Sequence, residues 1–313
     1  LAAITAVGTI MMPRMIEAGY PKPFVIVLAA SAALLEALIP PSNAAILYSA
    51  LTYVPVSQTF AAGIIPGLIL LLFMIGLVLF KCRHIERSEP ATNFDKLKLG
   101  IQAFPALLTP LIILGGIYGG FLTPSESAAV SGIWAMFMGF FIYRELKVSS
   151  LLESIKDTAV TTAVIFSIIA MATFLSKVFT YTRFPQFIIS TITEMGVGLN
   201  FFWFAMALIC LILGTFIEIV PVFYLTIPIF SAIILSFDQS LIHLYVVFVA
   251  FAGIGMITPP VCVGIYTSAS VIQENPGKAF KEVPLFTFVG IIYGTLMILF
   301  PAASTWLPEY LSK

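Results

Sequence analysis

Stretches free of Asp, Glu, Lys and Arg run over 37–80, 99–125, 158–176, 239–273 and 283–308. Each is near or above the roughly 18–20 apolar residues that cross a bilayer core. Several hold more than one crossing. Within 37–80, the polar interval from Thr52 to Gln58, with Pro55 and Ser57, divides the run in two. The pattern predicts about eight to ten hydrophobic segments, all helical, because a helix satisfies its own backbone in hydrocarbon.

The polar stretches set the organisation. Five of the 15 Lys and Arg residues lie in 81–98 (Lys81, Arg83, Arg87, Lys96, Lys98) and three in 144–157 (Arg144, Lys147, Lys156). The positive-inside rule places both connections on the cytoplasmic side. Between them, 99–143 offers two apolar runs divided at Thr123-Pro124-Ser125-Glu126, the even number that two same-side loops require. With Glu86, Ser88, Glu89, Pro90, Thr92, Asn93 and Asp95 among its bases, 81–98 reads as a solvated cytoplasmic linker.

The two sides of this linker look alike. Pro13 is followed by the polar turn Gly19-Tyr20-Pro21-Lys22, an apolar run and Ile39-Pro40-Pro41-Ser42. Pro228 is followed by Phe237-Asp238-Gln239, an apolar run and Ile257-Thr258-Pro259-Pro260. The spacing from single Pro to Pro-Pro is 27 residues in the first case and 31 in the second. A Pro-Pro pair removes two backbone donors and interrupts a helix. One such pair is as well explained by a helix ending at the membrane surface. Two in matching positions inside long apolar runs point to an internal repeat with a broken membrane helix in each copy, the arrangement in which freed carbonyls and half-helix ends bind ions and substrate. The boundaries predicted are 1–80 for the first repeat, with a broken helix at 24–50 and a following span, then the linker 81–98 and central helices at 99–180. The second repeat is 181–313, with a hairpin at about 198–237, a broken helix at about 242–270 and a C-terminal span at 284–307.

Composition narrows the function classes. Hydrophobic residues make up 60% and charged residues 10%, against about half and about a quarter in soluble domains. The partner implied is the lipid bilayer. Fifteen acids balance the 15 bases, so no net field exists to hold nucleic acid. Cys82, Cys210 and Cys262 are odd in number and form no C-x-x-C, so neither a disulfide framework nor a zinc cage is indicated. No cleavable signal peptide is visible, and the chain opens on Leu1, which reads as a fragment without its N-terminus.

Longer motifs carry a resemblance. The sixteen residues Gly115-Gly116-Ile117-Tyr118-Gly119-Gly120-Phe121-Leu122-Thr123-Pro124-Ser125-Glu126-Ser127-Ala128-Ala129-Val130 resemble the signature of the large, DctM-type membrane subunit of tripartite ATP-independent periplasmic (TRAP) transporters. Gly253-Ile254-Gly255-Met256-Ile257-Thr258-Pro259-Pro260-Val261, with Asp238 and His243 before it, is similar too, as are the opening Val7 to Met15 and the closing Phe300-Pro301 with Trp306-Leu307-Pro308. The resemblance runs from end to end. It implies an all-α polytopic membrane protein of inverted repeats, with re-entrant hairpins and broken helices, working as an elevator-type ion-coupled importer in the bacterial inner membrane. A periplasmic substrate-binding protein would deliver a small organic anion, a small four-helix TRAP membrane subunit would brace the large one, and Na⁺ would be the coupling ion, with no cofactor. It also implies further N-terminal spans, with a Gly-Ser-rich hairpin ending just before Leu1.

Site residues follow from the resemblance. The second-repeat sodium site would use carbonyls of Gly214, Gly255 and Val261, with Thr258 contributing; helix packing is the other reading of the glycines. The first-repeat site would lie at Glu36, Ile39 and Pro41. Glu36 departs from the family, which usually has Gly four residues before the first Pro. An acid at membrane depth is functional by default, and Glu36 is open to three roles: ligating sodium, carrying a proton as co-ion, or pairing with a basic group from the segment expected before Leu1. The substrate region would comprise Glu218, Ser42, Asn43, Pro259 and Pro260, with Glu218 alternatively a buried acid satisfied by backbone donors. Phe251 stands where relatives frequently have Asn. Thr123 and Glu126 read as a helix cap, and His243 as a helix-entry hydrogen bond rather than a metal ligand.

Other classes fit less well. An intramembrane enzyme would need H-E-x-x-H, paired catalytic acids, or a nucleophile with a basic partner, and a pump a G-x-x-x-x-G-K-[ST] loop. A channel would favour rings of like charge. The alternative within transporters is a stand-alone anion symporter, driven by Na⁺ or H⁺, of similar hairpin architecture.

Overall fold

A backbone in hydrocarbon finds its partners within helices or closed barrels, and this chain is built of helices. The computed structural model describes residues 2–85, 96–194 and 198–312; the body of the predicted linker, 86–95, lies outside the described residues. In chain order the helices are α1 (Ala2–Glu17), α2 (Lys22–Leu38), α3 (Asn43–Thr52), α4 (Val56–Lys81), α5 (Lys96–Tyr118), α6 (Pro124–Phe137), α7 (Val148–Tyr181), α8 (Phe184–Glu194), α9 (Leu199–Phe216), α10 (Ile219–Ser236), α11 (Leu241–Gly255), α12 (Val263–Val271), α13 (Val283–Leu299) and α14 (Ala302–Leu311). Among the described residues, six helices are long and apolar enough to cross a membrane, or up to eight if the bent pairs α2–α3 and α13–α14 each count once. The sequence reading of eight to ten segments also counted apolar runs such as α11, whose 15 residues fall short of a crossing.

Chain contacts divide the protein into two units, Leu1–Arg87 with Ala172–Lys313, and Ser88–Met171. In the second unit α5 packs on α6. The Trp134 indole N–H donates to the Pro105 carbonyl at 3.0 Å, and the Tyr143 hydroxyl to the Gln102 carbonyl at 2.8 Å. Gly120, at φ +68, turns the chain into α6. There Thr123 Oγ1 accepts from the Glu126 N–H at 3.3 Å while the Glu126 carboxylate accepts from the Thr123 N–H at 2.7 Å. This is the reciprocal cap expected from the sequence, a device worth about 1 kcal/mol.

The first unit holds both repeats. α2 packs on α4 as α11 packs on α13, while α1 lies against α12 and α10 against α3. α1 and α10 therefore each rest on the second half of the broken helix of the other repeat. Lys22, at the start of α2, pairs with Glu274 just past the end of α12, at 3.0 Å. Tyr48, in α3, donates to the carbonyl of Leu241, at the start of α11, at 2.6 Å. Start meets end in both cases, so the two broken helices run antiparallel and the repeats are inverted.

Matching glycine pairs seat the broken helices. Gly63-Ile64-Ile65-Pro66-Gly67 in α4 and Gly290-Ile291-Ile292-Tyr293-Gly294 in α13 put two glycines one turn apart on a helix face, where backbones approach closely. A Cβ on Gly63 would stand 1.9 Å from the Leu38 carbonyl oxygen, and one on Gly67 2.6 Å from Ile39. On α13, a Cβ on Gly290 would meet Ile254 at 2.8 Å and one on Gly294 would meet Phe251 at 2.8 Å. Tyr293 donates to the Pro66 carbonyl at 3.2 Å, tying one seat to the other. An aromatic cluster joins the repeats: Tyr48 of the first packs on Tyr245 of the second at 5.1 Å and on Phe223 at 5.9 Å, and Phe223 stacks on Phe248 at 4.5 Å. Such contacts add about 0.5–1.5 kcal/mol each beyond area burial.

Ion pairs close one end of this unit. Glu274 accepts from Lys22 at 3.0 Å and from Lys278 at 2.8 Å, and Lys81 pairs with Glu282 at 2.9 Å. Hydrogen bonds from Lys278, Lys22 and the Asn275 N–H pull the Glu274 carboxyl down to about 2 from its usual 4.5.

Two outcomes are expected. Gly63→Ala drives a methyl into a backbone carbonyl, so thermal unfolding in detergent should show a loss of about 1–3 kcal/mol or more. Gly76→Ala, on the same helix with nothing within 4 Å, should be neutral or stabilising by up to about 1 kcal/mol. Because Glu274 titrates lower in the folded state, its contribution is complete above about pH 4.5 and is lost as pH falls towards about 2. Glu274→Gln should therefore lower the melting temperature at pH 7, and the gap to the parent should close near pH 2 and narrow in high salt.

Candidate functional site

Two prolines in succession strip a helix of the N–H groups that would serve the carbonyls four residues earlier. For Pro40 and Pro41 those carbonyls belong to Glu36 and Ala37; for Pro259 and Pro260 they belong to Gly255 and Met256. Both Pro-Pro peptides are cis.

In the first break the ladder of α2 ends with Ile39 N–H donating to Leu35 at 2.7 Å, and α3 starts at Asn43, bent by 46° from α2. Ser42 caps α3 by accepting from the Ala45 N–H at 3.3 Å and donates its own proton to the Ala37 carbonyl at 2.8 Å. The Tyr245 hydroxyl, from the other repeat, donates to the same carbonyl. Glu36 is half-buried one turn before the prolines, and among the described residues its side chain has no hydrogen bond or ion pair. Ile39 and Pro41 are exposed at the break, as is Asn43, whereas Ser42 is buried.

The second break rebuilds its bonds from the backbone. Thr258 N–H donates to the Gly255 carbonyl at 2.8 Å, and Gly264 N–H to that of Met256 at 3.1 Å. The Thr258 hydroxyl donates to the Ile254 carbonyl at 2.7 Å and lies 3.3 Å from the Thr287 hydroxyl on α13. Cys262 turns the chain through φ +53 into α12. Pro259, Pro260 and Val261 are exposed, and Thr258 is half-buried.

The hairpin α9–α10 meets this break through its glycine. A Cβ on Gly214 would stand 2.3 Å from the Ala252 oxygen and 3.1 Å from the Gly255 Cα; one on Gly255 would stand 2.5 Å from the Leu211 oxygen. Gly214 and Gly255 are thus brought together, backbone against backbone, with Thr258 one turn beyond Ile254. The ladder of α9 ends with Ile217 N–H on Leu213, so the Gly214 carbonyl lies past it. Glu218 stands half-buried at the hairpin tip, where α10 begins. Tyr48 packs on Phe223 at 5.9 Å, joining the middle of α3 to the first part of α10.

Two participants have no counterpart in the sequence reading. Thr287 and Tyr245 reach the breaks from residues 29 and 208 positions away, across helices whose pairing no local motif encodes. His243 is buried with Nδ1 at 2.8 Å from Ser304 Oγ on α14, which joins α11 to the C-terminal helix rather than closing its own helix entry. Phe251 fills the space above Gly294.

This geometry has known relatives. The family model described as "Tripartite ATP-independent periplasmic transporter, DctM component" matches residues 1–303. The chain is 30% identical over 312 residues to the C4-dicarboxylate TRAP transporter large permease protein DctM of Pseudomonas aeruginosa, covering 99% of this chain and 73% of that protein. It is 29% identical to the ectoine TRAP transporter large permease protein TeaC of Halomonas elongata (98% and 73% covered). It is also 31% identical to the isethionate TRAP transporter permease protein DctMQ of Oleidesulfovibrio alaskensis (95% and 47% covered). Built on inverted broken helices and matched over nearly its whole length, this multi-pass membrane chain belongs to the DctM component family of tripartite ATP-independent periplasmic transporters.

Proposed function

We propose that the chain is the sodium-coupled membrane subunit of an importer for a small organic anion, resident in the bacterial inner membrane and supplied by a periplasmic binding protein. A separate or fused small four-helix subunit braces it. The observation that carries this reading is the oxygen-rich, uncharged corner formed by the Gly214 and Gly255 backbones and the Thr258 hydroxyl. Sodium is held by several neutral oxygens without a strong electrostatic trap, and carbonyls at broken helices supply them. Close glycine contact and ion binding are compatible here, since the approach that excludes a Cβ also brings the carbonyl ends of α9 and α11 to one place. Val261 completes the set from the far side of the break.

Glu36 gives the first break a different character. Glu36 lies in the last turn of α2, at the negative end of a helix dipole, where a bound cation would offset the charge of a carboxylate. We assign Glu36, with Ile39 and Pro41, to a second cation position. Ser42, Asn43, Pro259, Pro260 and Glu218 then form the substrate region, in which Asn43, Pro259 and Pro260 are exposed, Glu218 is half-buried and Ser42 is buried. The relatives named for C4-dicarboxylate, ectoine and isethionate are 29–31% identical to this chain, so identity to the membrane subunit does not choose among substrates.

Thermal unfolding of the complete transporter in NaCl and in KCl at equal ionic strength tests the coupling ion. Sodium at about 100-fold over its dissociation constant should stabilise by roughly 2.7 kcal/mol, and Thr258→Ala should raise the half-saturating sodium concentration. Identical melting curves in the two salts would remove sodium as coupling ion, and an unchanged midpoint would remove Thr258 from the site. Glu36→Gln should also raise the midpoint, with little change of melting temperature in KCl. Sodium dependence indistinguishable from the parent's would take Glu36 out of cation binding.

A further inference from the structure

The two breaks face the same loss of donors and meet it differently. In the second, the carbonyls of Gly255 and Met256 both regain backbone N–H partners, from Thr258 and Gly264. In the first, among the described residues, no backbone N–H serves the Ala37 carbonyl; it is held by the hydroxyls of Ser42 and Tyr245. Ser42 belongs to the break itself. Tyr245 belongs to α11, is fully buried, and is fixed by ring contacts with Tyr48 at 5.1 Å and Phe223 at 6.3 Å. Neither ring contact involves the hydroxyl.

We propose that Tyr245 is a positioning residue for the first break. Its hydroxyl pins the Ala37 carbonyl, Ser42 bridges that carbonyl to the Ala45 N–H, and the start of α3 thereby takes its shape from the opposite repeat. The hydroxyl acts through Ser42 and Asn43, so the proposal rests on their assignment to the substrate region. It makes the second repeat the reference frame for the first repeat's binding segment. In the other direction, Tyr48 returns its bond to Leu241, at the end of α11 away from the second break.

Tyr245→Phe removes the hydroxyl and leaves the ring cluster standing. The reporter is Ala44→Cys, a buried position in the first turn of α3, in the complete transporter with Cys82→Ser; Cys210 and Cys262 are buried. Labelling by a water-soluble maleimide should be about five-fold faster or more with Tyr245→Phe, the effect of losing one hydrogen bond on local opening. A second reporter, Ala269→Cys, buried in α12, should label at the parent rate, and the melting temperature in KCl should hardly move. Equal Ala44→Cys rates with and without the hydroxyl would overturn the proposal. So would a parallel rise at Ala269→Cys, since that is general loosening. If sodium and candidate anions leave Ala44→Cys labelling unchanged in the Tyr245 protein while Tyr245→Phe still accelerates it, the substrate-region assignment fails and the positioning role stands.

Discussion

A proline pair in the middle of a membrane helix takes two N–H groups out of the ladder in a medium that offers no water in exchange. An unmatched backbone polar group there costs several kcal/mol, so every element around the two breaks is arranged to meet or use the carbonyls left over. The second break folds back on itself and recruits Thr258 and Gly264. The first draws on hydroxyls, one of them from the other repeat. What remains exposed at each break is the part available to a solute. The glycine seats on α4 and α13 follow from the same need, since a bent, partly unwound helix is held only if its neighbour lets it come close.

Much of this was legible in the chain. Long charge-free runs locate membrane helices because length alone decides a crossing, and Pro-Pro locates the breaks because proline chemistry is local. The reciprocal cap of Thr123 and Glu126 could be read for the same reason: its partners are three residues apart. Gly214 and Gly255 were named in one set with Thr258 and Val261, and the fold places the two glycines in contact, which gives substance to the packing reading of the same residues. The G-I-I-x-G seats were present as a repeated pattern, yet their partners, Leu38 with Ile39 on one side and Ile254 with Phe251 on the other, follow only from tertiary packing.

Long-range hydroxyl bonds were out of reach for a physical reason. A tyrosine in an apolar run is ordinary filler by pattern, and only the partner's loss of a donor makes its hydroxyl matter. His243 shows the same limit in reverse. Its neighbourhood in sequence points to its own helix entry, but Ser304 arrives from 61 residues away on a helix that the apolar pattern ties to no partner. Inverted repeats magnify this effect, because contacts between the copies, such as α4 on α14, α3 on α10 and α2 on α12, join elements far apart in the chain.

The separation of Tyr245 from Ala37 has a consequence for biosynthesis. At roughly 5–20 residues per second, adding the 208 residues between them occupies a ribosome for about 10–40 s. Throughout that interval the first break has Ser42 as its only described hydroxyl partner, and it reaches its final form only after Tyr245, at position 245 of these 313 residues, has been made. The order of insertion thus makes the later copy the template on which the earlier one is finished.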